Sequence, residues 1–160
     1  MERKSRPSES EYLADQMHRA FHGEAWHGSA LLELLADVDA EMAASHPITG
    51  VHSIWEIVNH LNAWTEGIGH RAHGKAFDLE GDDDWPPVHD ASATAWKRTL
   101  TEWKHRHAEL EKLVAELKEA QLDQKVANRP HDVRFMLHGY AQHDLYHAGQ
   151  IALLRKALKR

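Results

Sequence analysis

Histidine is the residue type in this chain with the greatest capacity for chemistry, because 15 of its 160 residues are histidines. Two histidines four residues apart on a helix can present two imidazole nitrogens to one metal ion. That spacing occurs twice, at His18/His22 and at His143/His147. A chain of this composition would contain roughly 1.4 such pairs by chance, so spacing alone does not identify a metal site.

The surroundings of the C-terminal pair favour a metal-binding role. Helical positions advance by about 100° per residue, and on that basis both histidines lie in the middle of an apolar helix face. That face consists of Met136, Tyr140, His143, His147, Ile151 and Leu154. Two buried imidazoles one turn apart cost free energy unless each has a polar partner. A shared divalent ion is one such partner.

The N-terminal pair has different surroundings. Gly23 directly follows His22, which predicts that the helix ends there and leaves little rigid support for two ligands. We therefore interpret His18 and His22 as exposed or helix-capping residues rather than metal ligands.

A metal site of this kind needs a third ligand, and His60 is the best candidate. It lies at the flank of an apolar helical stripe, one turn before Trp64, where it can point into a pocket. The alternative is a boundary histidine that is hydrogen-bonded to a backbone group. Three neutral imidazoles with open coordination positions are typical of catalytic sites rather than closed structural sites.

The elements that must position these residues are four long helices. The first is predicted from about Ser10 and is interrupted near Gly23. Capping residues predict that the other three begin after Ser53, Ser92 and Asp132. The third carries a heptad seam with His107 in its middle, which we interpret as a core histidine bonded to a side chain or water. The pattern predicts an all-α four-helix bundle spanning residues 10–160, after a flexible N-terminus at residues 1–9.

Composition excludes several classes of function. The chain has no cysteine, which rules out disulfides, thiolate metal sites and a cysteine nucleophile. The net charge of −6 argues against a nucleic-acid binder. The apolar runs are far shorter than the roughly 20 residues that cross a bilayer. We therefore expect a soluble cytoplasmic protein that acts on a small molecule, without nucleic-acid or membrane partners.

Two sequence blocks together resemble a known family. The block from Val51 to Leu61 resembles the second-helix motif of the DinB-like proteins, a superfamily that includes metal-dependent hydrolases. The block from His143 to Ile151 resembles their last-helix motif, and Trp26-His27-Gly28 matches a feature of one branch. The resemblance extends from about residue 12 to residue 158.

This resemblance implies a DinB-like four-helix bundle that forms a homodimer. It places a divalent ion, zinc or nickel, on His60, His143 and His147. It also implies a metal-dependent hydrolase or a transferase that uses a low-molecular-weight thiol. The alternatives are a non-catalytic metal-binding or stress-related module, and a metal-free helical dimer whose buried histidines are hydrogen-bonded.

Several other residues are candidates for supporting roles. Tyr140 and Asp144 are the candidate catalytic residues, the former as a hydrogen-bond donor and the latter as an acid that orients a histidine. Trp26, His27, Trp64 and Tyr140 are the candidate walls of a substrate pocket. The acidic run at residues 82–84 is interpreted as a solvated surface loop.

Overall fold

The computed structural model describes residues 6–159, and no strand forms within that range. The chain is helical, which confirms the all-α prediction. The helices are α1 (Glu9–His22), α2 (Leu31–Leu35), α3 (Ala40–Ala44), α4 (Ile54–Ala72), α5 (Ala93–Glu116), α6 (Glu119–Leu122) and α7 (Val133–Leu158), with a 3₁₀ turn at Gly81–Asp83.

The four long helices α1, α4, α5 and α7 contact one another in a closed ring. α1 packs on α5, α5 on α4, α4 on α7, and α7 on α1. Each helix therefore buries one face against two neighbours, as in a helix bundle. The short helices α2, α3 and α6 lie in the connections between them. No helix within residues 6–159 is long and apolar enough to span a bilayer.

The helix starts follow the capping chemistry that the sequence predicts. The Ser53 hydroxyl accepts a hydrogen bond from the Glu56 backbone N–H at 3.2 Å, and the Glu56 carboxylate accepts from the Ser53 N–H at 2.7 Å. The side chains of Ser92 and Asp132 also accept a backbone N–H at the starts of α5 and α7, without the reciprocal bond. Each side chain replaces a backbone partner that the first helical turn lacks.

The N-terminal helix begins slightly earlier than predicted. α1 starts at Glu9, because Ser8 forms a capping box with Glu11. Of the predicted flexible segment 1–9, residues 1–5 lie outside the described part of the chain. A single domain over residues 10–160 remains a prediction.

Candidate metal centre

Three histidine side chains from two helices converge at the contact between α4 and α7. The Nε2 atom of His143 lies 3.0 Å from Nε2 of His60 and 3.2 Å from Nε2 of His147. His60 and His147 are buried, with 5% and 4% of their surface exposed, and His143 is half-buried. We call these three residues the buried triad. This convergence was expected from the apolar surroundings of the C-terminal pair, from the flank position of His60 and from the family resemblance.

Hydrogen bonds on the far side of two rings fix which nitrogen carries the proton. His60 Nδ1 lies 2.8 Å from the backbone oxygen of Asp84, and His147 Nδ1 lies 2.8 Å from Oε1 of Gln150. A carbonyl oxygen only accepts, so Nδ1 is the donor in the bond to Asp84. We assign Oε1 of Gln150 likewise as the acceptor of a hydrogen bond from Nδ1 of His147. In the neutral rings of His60 and His147, Nε2 therefore presents a lone pair to the centre of the triad.

This arrangement fits a divalent ion. Nitrogens that each lie 2.0–2.1 Å from one zinc ion are separated by roughly 2.9–3.3 Å in tetrahedral or octahedral coordination. The observed separations of 3.0 and 3.2 Å fall in that range. Without a cation, a proton on Nε2 of His143 could form a good hydrogen bond to only one of the two facing lone pairs.

The triad is also held in the unprotonated form that metal binding requires. Burial, together with the neighbouring His147 and His60, lowers the pKa of His143 to about 3. Burial likewise lowers the pKa of His60 and of His147. Metal ligands must be neutral imidazoles, so these shifts reduce competition from protons.

The acidic loop after α4 supports the triad, which the sequence analysis missed. Asp84 accepts from the indole N–H of Trp64 at 2.7 Å, and its carboxylate also lies 3.1 Å from Nδ1 of His60. Trp85 stacks on His60 with ring centroids 4.0 Å apart. The interpretation of residues 82–84 as a solvated loop therefore holds for Asp82 and Asp83, which are exposed, but not for Asp84. Trp85, which directly follows the acidic run, was the signal that could have revealed this contact.

Two of the four predicted pocket residues lie beside the triad. Trp64 and Tyr140 line a cavity of about 390 Å³ together with His60 and His143. Trp26 and His27 do not reach it. They lie at a separate surface groove beside Leu145, and the Trp26 side chain is fully exposed. The Gly23–Gly28 break directs them away from the space between α4 and α7.

The hydroxyl of Tyr140 is engaged in the core rather than free. It lies 2.9 Å from Oγ1 of Thr65, which also accepts from the indole N–H of Trp103 at 3.1 Å. The single proton of Thr65 points to the carbonyl of Leu61 at 2.8 Å, so Tyr140 must be the donor to Thr65. Burial raises the pKa of Tyr140 well above its ordinary value, so this proton stays in place. Its predicted role as a donor to a bound group would require this bond to break.

Asp144 faces away from the triad, toward α5. Its carboxyl group is fully buried and lies 3.6 Å from Nε2 of His107, a contact too long for a hydrogen bond. Burial raises the pKa of Asp144. His107 is also fully buried and donates from Nδ1 to Glu111 at 2.8 Å, which confirms the prediction of a core histidine bonded to a side chain. The histidine that Asp144 contacts is therefore His107. A catalytic role for Asp144 remains a hypothesis.

A second group of ligand-type residues lies at the contact between α1 and α5. His18, His22 and Glu111 each place a nitrogen or oxygen atom within 4.8 Å of the others. We call this group the surface cluster. Its histidines are exposed, as predicted, but they do not cap the helix. α1 extends through His22, so both rings lie on a regular helix and face Glu111.

A comparison with protein-family models agrees with the resemblance seen in the sequence. The model described as DinB superfamily matches residues 25–151, which includes α4, α5 and all three histidines of the buried triad. No curated protein and no solved structure matched the chain. The family match covers well over half of the chain, and the chain belongs to the DinB superfamily.

Proposed function

We propose that the protein is a metal-dependent enzyme that acts on a small molecule through a divalent ion, zinc or nickel, held by His60, His143 and His147. The observation that carries this proposal is the convergence of three Nε2 atoms, with that of His143 at 3.0 and 3.2 Å from those of His60 and His147. Hydrogen-bonded core histidines normally pair a donor with an acceptor. Here the donor sides of His60 and His147 point outward, which supports an ion in the centre.

The ligand set supports a catalytic rather than a purely structural role. Structural zinc sites are closed by four protein ligands, whereas catalytic sites keep a position open. Within residues 6–159, the donor group that gathers here comprises three histidines and no fourth ligand. An ion bound there supplies Lewis acidity, which lowers the pKa of a coordinated water or thiol toward neutrality.

The chain's own residues orient the ligands and shape the space beside them. Asp84 and Gln150 hold the rings of His60 and His147 through Nδ1. The adjoining cavity is largely apolar. Its walls outside the triad include Trp64, Ile68, Phe135, Met136 and Tyr140, with His131 among the polar residues. These walls suit a small molecule with an apolar portion.

Two reaction classes fit this site equally, namely hydrolysis and transfer of a low-molecular-weight thiol to a small electrophile. A screen separates them. The metal-loaded protein is assayed with ester and amide substrates alone, and then with small electrophiles in the presence of several thiols. Turnover in either arm that is lost in His147→Ala, and retained in the matched surface variant His138→Ala, supports the proposal.

The alternative is a non-catalytic metal-binding module. It predicts that metal binds to the triad and that neither assay arm shows turnover. It also predicts that loss of metal from His147→Ala collapses the fold, whereas a functional site predicts lost metal with nearly unchanged melting of the metal-free protein. Absence of metal from both proteins would contradict the enzyme and the module alike.

A homodimer and a cytoplasmic location belong to the same proposal. Three large apolar side chains, Phe135, Tyr146 and Leu153, are each about two-thirds exposed on the outer side of α7. Their spacing places them on one stripe, which supports self-association through α7. Light scattering should give twice the 18.3 kDa chain mass for wild type and a monomer for Leu153→Glu. A monomeric wild-type protein would overturn this part.

A further inference from the structure

The surface cluster has a geometry that the proposed reaction does not use. His18 Nδ1 lies 3.0 Å from one carboxylate oxygen of Glu111, and His22 Nε2 lies 3.3 Å from the other. The two rings stack with centroids 4.4 Å apart, because they are one turn apart on the same face of α1. Three donor groups from two helices therefore meet at one point.

A hydrogen bond from the buried His107 orients Glu111, the third member of this cluster. The buried ring of His107 donates from Nδ1 to Oε1 of Glu111 at 2.8 Å and stacks on Phe21 with centroids 3.8 Å apart. Phe21 lies on α1 between the two surface histidines. A carboxylate ligand that is hydrogen-bonded and oriented in this way is the usual companion of a metal site.

The geometry points to a second divalent-cation site formed by His18, His22 and Glu111, with His107 as the positioning residue. Two imidazoles and one carboxylate are a ligand set that binds zinc with open positions. The side chains of His18, His22 and Glu111 are 55%, 35% and 16% exposed, so an ion can enter from solvent and retain water.

The charges around the cluster also suit a cation. Burial alone would raise the pKa of Glu111, but hydrogen bonds from His107 and His18 hold it below its ordinary value. Burial lowers the pKa of His22 despite the nearby carboxylate. This site is independent of the buried triad, and the two differ in every ligand.

The test is zinc titration of the metal-free full chain by calorimetry, repeated with cobalt for its visible absorption. Wild type should bind two ions per chain. His18→Ala and Glu111→Gln should each bind one, whereas the control His105→Ala should still bind two. His105 is a matched control because it faces Glu109 at 3.3 Å on the exposed side of α5 and belongs to neither of the ligand groups found within residues 6–159.

A second background separates this proposal from the proposed function. In His143→Ala/His147→Ala the surface cluster should still bind one zinc ion, and adding His18→Ala should abolish that binding. A wild-type chain that binds one ion, lost only in the triad variant, would overturn the second site. One ion that is lost only with His18 or Glu111 would support it and count against the triad instead.

The positioning role of His107 has its own readout. His107→Gln should weaken zinc binding at the surface cluster by about 10–100-fold and leave the affinity of the triad unchanged. A purely structural role would weaken both sites together as the fold loosens. Equal weakening of the two sites would therefore remove His107 from the proposal.

Discussion

The buried triad and the surface cluster are built on the same plan, yet their polar groups are satisfied in different ways. Each combines an i,i+4 histidine pair on one helix with a third residue from a neighbouring helix. In the triad all three members are imidazoles whose Nε2 atoms face one another at 3.0 and 3.2 Å. In the surface cluster the third member is a carboxylate, which both histidines approach.

This difference decides how strongly each group needs a cation. Glu111 can accept hydrogen bonds from imidazole N–H groups, so the surface cluster has a satisfied metal-free state. The triad has at most one inward proton, on Nε2 of His143, for the two facing lone pairs of His60 and His147, and burial keeps water from them. We therefore expect the triad to bind a divalent ion tightly and the surface cluster to bind one more weakly. Four variants test this expected difference.

The largest effect is expected from His147→Ala. Removing a direct ligand should weaken metal binding at the triad by more than about 100-fold, because even outer-shell partners contribute 10–100-fold. Metal content after purification without chelator provides the measurement. His138→Ala is the control, since this histidine lies on the same helix but pairs with Glu9 at the surface. Full metal retention by His147→Ala would remove it from the ligand set.

A smaller loss is expected from Asp84→Ala. The carboxylate contacts His60 and the indole of Trp64, but the backbone oxygen at this position would still accept from His60. We expect about tenfold weaker binding at the triad, the low end of the range for outer-shell partners. Competition with a chromophoric chelator measures it. Asp83→Ala, in the same acidic run, should have no effect, and equal losses in both variants would contradict the assigned contact.

The stability of the metal-free protein should fall as pH decreases from about 6.5 toward 4.5. Burial lowers the pKa of His143 from 6.5 to about 3 in the folded state. Below 6.5 the unfolded chain therefore binds more protons than the folded chain, which favours unfolding. Urea unfolding at several pH values measures this slope, which should be shallower in His143→Gln. An unchanged slope in that variant would show that the ring is not held neutral by burial.

The smallest effect on metal binding is expected from Thr65→Val, a substitution in the core. It leaves Trp103 and Tyr140 without their hydrogen-bond acceptor, which should cost about 1–3 kcal/mol of unfolding free energy. Urea unfolding tests this value. Metal affinity at both sites should stay as in wild type. A large loss at the triad would mean that the Thr65 network also orients the ligands.

Local signals in the sequence predicted the long helices and two of the three residues of the buried triad. The caps at Ser53, Ser92 and Asp132 define helix starts by short-range hydrogen bonds, which a sequence shows directly. The same holds for the pair His143/His147, because one regular helix fixes their relative position. His60 required the resemblance to the family, since its approach to α7 depends on how two helices pack.

Contacts made by loops and by partners distant in sequence were not predictable in this way. Asp84 reaches His60 only because the segment after α4 folds back over that helix. Glu111 reaches the α1 histidines from a position 93 residues after His18, and no local pattern links them. Trp26 and His27 were misplaced for the same reason, because the direction of an irregular segment after a glycine depends on tertiary packing.

Anomalous diffraction from crystals of the zinc-loaded protein at the zinc absorption edge is the most direct test of the triad. We expect a strong peak about 2.0–2.1 Å from Nε2 of each of His60, His143 and His147. A second, weaker peak is expected beside Glu111. A zinc ion coordinated through Nδ1, or no peak between α4 and α7 at full zinc loading, would contradict a metal site on the three Nε2 atoms.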